Sequence, residues 1–492
     1  MSDTHPEVIR HPPNISGEED RIRDAVNAVS GQPVFPRSNG VDFQRIRSTF
    51  AIALHMHQPL IPVGGDLRTA EIASNLKQMM ESGNDEQRNN AAVFRWCYKR
   101  MGEFIPLLVD QGCQPRVMLD YSGTLLWGLY KLGFSDVFDA LRTITWDTQY
   151  RDKVEWLGSG WGHPVAPSTP VQDFRLHLRA WQHHFASLFG LEAIQRVRGF
   201  SPAEMALPNH PDVAYDFVRS LRECGYSWVL VQEHTVERTD GNAPEHKHLP
   251  HRLVCRNSRG DAAEIIAIIK TQGSDTKLVA QMQPLYEARS LSRAMLGDHS
   301  VPPLVTQIAD GENGGVMMNE FPSKYLQTMA ECSGSDVPAM NVTEYLEQLF
   351  ALGVKPSDLA VIQPRQQCRI WARFSAGGGA DRLAAVLEEL RQEDSSFHVE
   401  GGSWTNDISW VRGYERLLGP MEEVSSLFHE KVLKSQIATK DFRYRNALFH
   451  LLSCQTSCYR YWGEGAFVEY GREICRRAKE ILLHDFWPEL GH

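Results

Sequence analysis

The sequence has 492 residues, a formal net charge of −10, 42% hydrophobic residues and 23% charged residues. This length suits two domains, of which one could be an α/β barrel of about 250 residues. The negative charge and the absence of a Lys/Arg run argue against a nucleic-acid partner, which requires a basic face. No stretch approaches ~18 uninterrupted apolar residues and no signal peptide is visible, so we expect no membrane partner and a cytoplasmic location.

The pattern of the chain changes twice. Residues 1–47 are polar and rich in Pro, Gly, Asn and charge, which predicts a loosely attached arm. Residues 48–395 alternate short apolar runs with helical periodicity, which predicts βα units and a mainly parallel sheet. Residues 396–492 read as a C-terminal helical domain that contributes to the active-site cleft, with 443–462 the most periodic stretch. The predicted strands are 49–54, 116–120, 153–157, 197–200, 228–231 and 304–308, and the clearest helix is 171–189.

Polar residues follow directly after several of these predicted strands. In parallel α/β folds this is the edge at which ligands bind, whether the sheet is open or closed into a barrel. The pattern therefore predicts one site that collects His55, His57, Asp120, His163, Glu204 and Asp310.

Glu204 and Asp310 are candidates for a pair of catalytic carboxylates. Each lies shortly after a predicted strand, so the fold could bring them together despite their separation in sequence. Retaining glycosidases hold two carboxyl groups about 5 Å apart, one as nucleophile and one as acid/base. The chain has 61 Asp and Glu, so this placement alone does not separate the pair from ordinary solvated carboxylates.

A metal site is a second interpretation of the same strand ends. His55 and His57, with Asp120 or His163, could bind one ion if the first strand ends before them, because alternate strand residues point to opposite faces. Imidazole is a common zinc ligand, and such a set would indicate a metal-dependent carbohydrate deacetylase. The nine Cys show no repeated C-x-x-C spacing, so we expect neither a zinc ribbon nor a disulfide framework.

A third interpretation is a catalytically silent glucan-binding protein. The 12 Trp and the 10% aromatic content suit stacking against sugar rings, and composition alone does not separate binding from catalysis.

Four segments in chain order resemble the motifs of glycoside hydrolase family 57, whose members act on starch-like α-glucans. HMHQP at 55–59 is similar to the first motif, centred on HQP, and GWGHP at 160–164 is similar to the second. GFSPAE at 199–204 resembles the third, G-F-W-x-P-E, and ADGEN at 309–313 resembles the fourth. Residues 443–465 resemble the fifth region, a helix of the C-terminal domain that leans over the site.

The resemblance, which covers residues 48–465, implies an α/β fold: a (β/α)7, incomplete TIM-like barrel with a C-terminal helical domain. It implies no required metal or other cofactor. It assigns Glu204 as the nucleophile that forms a glycosyl-enzyme and Asp310 as the acid/base. We therefore expect a retaining hydrolase or transglycosylase of α-1,4 glucosidic bonds, with α-1,6 bonds as a further candidate. The expected partner is an α-glucan or maltooligosaccharide.

The resemblance also implies residues that bind the substrate. Three imidazoles would bond sugar hydroxyls beside the nucleophile: His55, His57 and His163. Three indoles are candidates for stacking platforms: Trp161, Trp404 and Trp410.

The chain departs from the family pattern near the nucleophile and in the fifth region. Ser201 stands where the family has Trp, and Ala203 replaces the Pro before Glu204. Cys458 stands where an Asp that helps to hold substrate is expected, and Asp407 is the candidate that replaces it. Both central carboxylates are retained, so the reaction type is better defined by the sequence than the glucan on which it acts.

Overall fold

The computed structural model describes residues 11–35, 41–271, 277–312, 319–375, 377–404, 415–461 and 465–486. Its strands are β1 (Thr49–Met56), β2 (Leu60–Val63), β3 (Glu71–Ser74), β4 (Val117–Tyr121), β5 (Val154–Trp156), β6 (Gly199–Phe200), β7 (Trp228–Gln232), β8 (Val236–Arg238), β9 (His251–Arg256), β10 (Ala262–Lys270), β11 (Ala294–Leu296), β12 (His299–Val301), β13 (Leu304–Asp310) and β14 (Ala360–Pro364).

Helices separate most of these strands, as the predicted βα alternation requires. The α-helices are Glu19–Ala28, Asn75–Glu81, Asp85–Lys99, Met101–Asp110, Gly123–Lys131, Ser135–Trp146, Val171–Phe189, Leu191–Gln195, Pro211–Glu223, Lys277–Ala280, Gln283–Arg289, Phe321–Cys332, Val342–Ala351, Gln367–Trp371, Ala380–Glu393, Glu415–Leu427, Phe442–Cys454, Cys458–Tyr461 and Ala466–Asp485. A π-helical segment, Phe428–Val432, follows Glu415–Leu427.

The central strand β1 is buried along almost its whole length, as expected of a parallel strand that is covered on both faces. It pairs in parallel with β13 on one side and with β4 on the other. In this register His55 lies opposite Asp310 of β13 and opposite Asp120 of β4. The strand register alone therefore brings three of the predicted site residues into one row at the carboxyl end of the sheet.

The sheet is mixed, whereas the family resemblance implies an incomplete TIM-like (β/α)7 barrel. Its ten strands follow the order β5-β4-β1-β13-β10-β9-β14-β8, and β6 and β7 join through β10. Within the described residues these ladders do not close, because only an isolated bridge between Gly158 and Phe200 links β6 to the segment after β5. The antiparallel pairings of β9 with β10 and of β8 with β14 are not predicted by the βα alternation.

The periodic stretch 443–462 does not form one helix. It contains the helices Phe442–Cys454 and Cys458–Tyr461, separated by a non-helical connection at residues 455–457. Thr456 in this connection forms an isolated antiparallel bridge with Pro164 of the second motif. The helical part of the chain thus reaches the sheet edge through this break.

The described part of the N-terminal arm packs against the protein. Helix Glu19–Ala28 buries Ile22 and Val26 in the main hydrophobic core. The Ser16 hydroxyl donates a hydrogen bond to the Thr439 carbonyl oxygen at 2.7 Å. A loose attachment is therefore wrong for this segment, because apolar side chains spaced four residues apart give the helix a buried face. The domain boundaries predicted after residues 47 and 395 stay predictions.

Candidate active site

Glu204 lies in a single 3-10 turn, Ala203–Met205, shortly after β6. Its backbone is left-handed, with φ 57° and ψ 20°, and His163 has a φ of 54°. Each such conformation costs a residue other than glycine about 1–3 kcal/mol, and it persists only where surrounding contacts hold it. Tertiary contacts therefore determine where both side chains lie.

Two residues from the C-terminal part of the chain hold the Glu204 carboxylate. The indole Nε1–H of Trp404 donates to Glu204 Oε2 at 3.0 Å, and the nearby Ser457 side chain lowers the pKa of the carboxylate. Ser457 Oγ lies 2.7 Å from His163 Nδ1.

The negative charge of Asp310 acts on Glu204. The pKa of Glu204 is raised to about 7, first by burial and second by the negative charge of Asp310. Asp310 ends β13, and its pKa is also raised, by desolvation among the surrounding protein groups and by the negative charge of Asp120, although the charge of His55 opposes this shift. Both carboxyls therefore hold a proton at higher pH than an exposed Asp or Glu does, which general acid catalysis requires of its donor.

The imidazole rings of the first and second motifs are stacked together. The His163 ring lies 4.0 Å from that of His57 and 4.6 Å from that of His55, between ring centroids. The Nε2 atoms of all three rings are buried and have no hydrogen-bond partner among the described residues. These three atoms are available to a ligand that brings its own hydroxyl groups.

The three rings differ in charge. His55 Nδ1 lies 2.8 Å from Asp120 Oδ2, and although burial opposes protonation, this carboxylate raises the pKa of His55 to about 10. Burial and the His55 charge hold the pKa of His57 well below its ordinary value. Burial, with the neighbouring imidazoles, does the same to the pKa of His163. The cluster therefore carries one positive charge, on His55, which favours the charged forms of both candidate carboxylates.

Buried groups fix the turn that follows Asp310. The Gly311 carbonyl oxygen accepts a hydrogen bond from Arg100 Nη2 at 2.9 Å, and Glu312 Oε1 accepts the backbone N–H of His57 at 2.9 Å. Gly311 N–H in turn donates to the His55 carbonyl oxygen at 2.7 Å. The first and fourth motifs are therefore joined directly through their main chains.

The structure brings most of the predicted site residues together. Six of them are linked by ring stacking, hydrogen bonding or electrostatic interaction: His55, His57, His163, Glu204, Asp310 and Trp404. Trp161 is different, because it is 0% exposed and packs edge-on against Phe449 at 5.8 Å. A stacking platform is therefore the wrong role for Trp161, which is a core residue. Asp407 and Trp410 lie outside the described residues.

Sequence reasoning assigned no role to Ser457, Ser122 or Glu312. Ser122 N-caps helix Gly123–Lys131, and its hydroxyl also lies 2.7 Å from His57 Nδ1. The N-cap pattern was readable, since Ser122 precedes a helical stretch. Nothing in the sequence pairs a serine of the fifth region with Glu204.

Neither a metal centre nor a membrane span is found in the described residues. No group of three or more His, Cys, Asp or Glu side chains there is arranged to hold a metal ion. No helix of that part of the chain is long and apolar enough to cross a membrane.

The family profile of glycosyl hydrolase family 57 matches residues 51–352, which is more than half of the chain. The chain belongs to this family of glycoside hydrolases and transglycosylases. No curated protein matches the sequence.

Solved structures of family members share the fold at low sequence identity. The 4-alpha-glucanotransferase from Thermococcus litoralis superposes with a TM-score of 0.56 at 16% identity, over 90% of this chain and 61% of that chain. The branching enzyme from Pyrococcus horikoshii gives 0.52 at 10% identity, over 89% of each chain. The exo-type maltose-forming amylase from Pyrococcus sp. ST04 gives 0.52 at 13% identity, over 90% of this chain and 81% of that chain. The chain thus spans less than two thirds of the first of these relatives.

Proposed function

We propose that this protein is a retaining α-glucan hydrolase or transglycosylase in which Glu204 is the nucleophile and Asp310 the acid/base. The observation that carries the proposal is the setting of Glu204. The Trp404 indole bonds its carboxylate, which lies 3.9 Å from the nearest nitrogen of a stack of three imidazoles. The charge of Asp310 also acts on this carboxylate. Glu204 attacks C1 and Asp310 protonates the departing oxygen; Asp310 then deprotonates the incoming water or sugar hydroxyl.

The surrounding groups suit a sugar ring beside Glu204. The unpartnered Nε2 atoms of His55, His57 and His163 can bond hydroxyl groups, and the charged His55 favours an oxygen atom as its acceptor. α-1,4 bonds are the first candidate substrate and α-1,6 bonds the second, because the similar structures include a glucanotransferase, a branching enzyme and an amylase. The bridge between Gly158 and Phe200 supports a (β/α)7 arrangement as part of this proposal.

A product profile tests the proposal. Maltoheptaose, amylose and pullulan are incubated with the protein, and product lengths, branch points and anomeric configuration are measured. Shorter chains alone indicate hydrolysis, longer and shorter chains together indicate transfer, and new branch points indicate branching. Initial products with inverted configuration would overturn the retaining mechanism, and glucan binding without any change of chain length would favour a binding protein.

Glu204→Gln is the matching variant and should lower turnover by at least about a thousandfold while the fold persists. Glu155→Gln is its control, because Glu155 is a buried carboxyl that contacts Thr343, and burial raises its pKa to about 8. Normal turnover by Glu204→Gln would refute the nucleophile assignment. Full activity of the metal-free protein after chelation would exclude the metal-dependent deacetylase.

A further inference from the structure

The connection at residues 455–457 contacts the second-motif loop along its main chain. Ser457 N–H donates to the His163 carbonyl oxygen at 3.1 Å, next to the bridge between Thr456 and Pro164. The Ser457 hydroxyl also lies 2.7 Å from His163 Nδ1, and it lowers the pKa of Glu204. The position of this connection therefore determines how the nucleophile is held.

Gln455, at the start of the connection, is fully buried within a chain of hydrogen bonds. Its Nε2 donates to Asp173 Oδ2 at 2.6 Å, and its Oε1 lies 2.9 Å from His177 Nε2. His177 Nδ1 then accepts the backbone N–H of Gly162 at 3.1 Å, directly before His163. Gln455 thus joins a buried carboxylate to the loop that carries His163.

The direction of these bonds is fixed by chemistry. Asp173 is fully buried and lies 2.7 Å from His429 Nε2, so its oxygens act as acceptors from His429 and Gln455. The Gln455 amide must then turn its oxygen toward His177, which donates Nε2–H to it. A neutral imidazole that donates from Nε2 can accept at Nδ1, and burial lowers the pKa of His177 to about 4, which keeps the ring neutral.

We propose that Gln455 is a positioning residue for the nucleophile. It fixes the tautomer of His177 that accepts Gly162 N–H, and this holds the His163 loop and Ser457 against Glu204. The inference rests on the proposed role of Glu204. The network has three titratable side chains: Asp173, His177 and His429. The Arg460 guanidinium adds a fixed positive charge and donates to the main-chain carbonyl oxygen of Gln455 at 3.0 Å.

Gln455→Glu is the decisive variant, because it keeps the shape but replaces the donor toward Asp173 with a second carboxylate. Repulsion between the two carboxyls should displace the connection and lower kcat at pH 7.5 by at least about tenfold, with KM changed less than about threefold. At lower pH the two carboxyls can share a proton, so activity relative to wild type should rise as pH falls. A residue with a purely structural role would not change this pH dependence.

The double variant Asp173→Asn/Gln455→Glu restores the hydrogen bond between positions 173 and 455 with donor and acceptor exchanged. The new amide at position 173 donates to the new carboxylate at position 455, and its oxygen still accepts from His429. The double variant should recover kcat to within about threefold of wild type. Gln182→Glu is the matched control, because Gln182 is a buried amide that donates to the Cys224 carbonyl oxygen at 2.7 Å, outside this network. That control should keep kcat per folded molecule, with folding of every variant followed by circular dichroism and thermal melting.

Equal kcat per folded molecule for Gln455→Glu and Gln182→Glu would overturn the inference. A folded double variant that stays as slow as Gln455→Glu would overturn it too, and this arm decides the matter if the single variant does not fold. If wild type is inactive on glucans, or if Glu204→Gln stays active, the proposed function has failed instead. Wild-type activity that depends on Glu204 but not on Gln455 refutes the positioning role alone.

Discussion

Trp404 holds Glu204 through two hydrogen bonds. Its backbone N–H donates to the Glu204 carbonyl oxygen at 3.1 Å, and its indole Nε1–H donates to the carboxylate at 3.0 Å. The first bond helps to keep the left-handed turn, and the second favours the charged carboxylate. An indole expected to stack on substrate therefore has an electrostatic role at the nucleophile.

Trp404→Phe removes the indole donor and leaves the main-chain bond in place. The pKa of Glu204 should rise further, because a hydrogen bond to its charged form is lost. The acid limb of the kcat/KM profile should move to higher pH, with a loss of roughly tenfold near pH 6. Trp371→Phe is the control, since the Trp371 indole donates to Gln367. An unchanged acid limb would contradict the electrostatic role.

Asp310→Asn removes the acid/base and should separate the two steps of the reaction. Turnover of maltooligosaccharides should fall by about 10²–10⁴-fold, because their leaving oxygen needs a proton. Maltosyl fluoride should still form the glycosyl-enzyme, since fluoride leaves without protonation. Added azide should then give a glycosyl azide of retained configuration, measured by NMR. An azide product of inverted configuration would show that the carboxyl roles are wrong.

Asp120→Asn should lower the charge of the imidazole cluster. Without this carboxylate the pKa of His55 falls from about 10, the ring becomes neutral at pH 7.5, and Glu204 holds its proton more strongly. For Asp310 the loss of the His55 charge is offset by the loss of the Asp120 charge. The acid limb of the pH profile should therefore move upward. Ser453→Ala is the control, because it alters no charge of the cluster and should leave the acid limb in place. An unchanged acid limb for Asp120→Asn would contradict the role of the His55 charge.

The same variant should change stability in a pH-dependent way. A histidine whose pKa is raised in the folded state stabilises the protein fully below its unfolded pKa of about 6.5 and loses that contribution as pH rises through the folded value. We expect a cost of about 3 kcal/mol near pH 6, because one partner of a buried pair is removed. The difference from wild type should shrink between pH 6.5 and about 10. A difference that grows with pH in urea unfolding would contradict the pair.

Ser457→Ala removes the hydroxyl between His163 and Glu204 and should reduce kcat by roughly tenfold. Ser453→Ala is a matched control from the preceding helix, because the Ser453 hydroxyl is buried without a partner among the described residues. That control should be neutral or slightly stabilising. Equal kcat for the two variants would exclude a role for Ser457 at the nucleophile.

Strand-end placement was predictable because apolar runs and the polar residues after them are local features. β1, β4 and β13 begin or end within two residues of their predicted bounds, and their parallel register sets His55 beside Asp120 and Asp310. The family motifs then distinguished Glu204 from other carboxylates. What local pattern could not supply was the contact between Ser457 and Glu204, which lie far apart in sequence.

Two predictions, a continuous helix over residues 443–462 and a stacking role for Trp161, are wrong for physical reasons. Periodicity continues through residues 455–457, so the break at Cys454 is invisible until the bonds of Gln455 are known. Trp161 has the same composition signal whether it stacks on a sugar or fills a core. The packing of Trp161 against Gly123 places it in the core, since a Cβ on Gly123 would lie 2.2 Å from Trp161 Cδ1.

The N-terminal segment has a consequence for synthesis of the chain. Ser16 bonds Thr439, 423 positions later, and Glu347 accepts the N–H groups of Val34 and Phe35 at 2.6 and 2.9 Å. A ribosome makes the first partner of each contact long before the second, and contacts of such separation slow folding. Helix Glu19–Ala28 itself packs against helices Val171–Phe189 and Leu191–Gln195, so Ile22 and Val26 stay uncovered, or are covered by a chaperone, until that part of the chain leaves the exit tunnel.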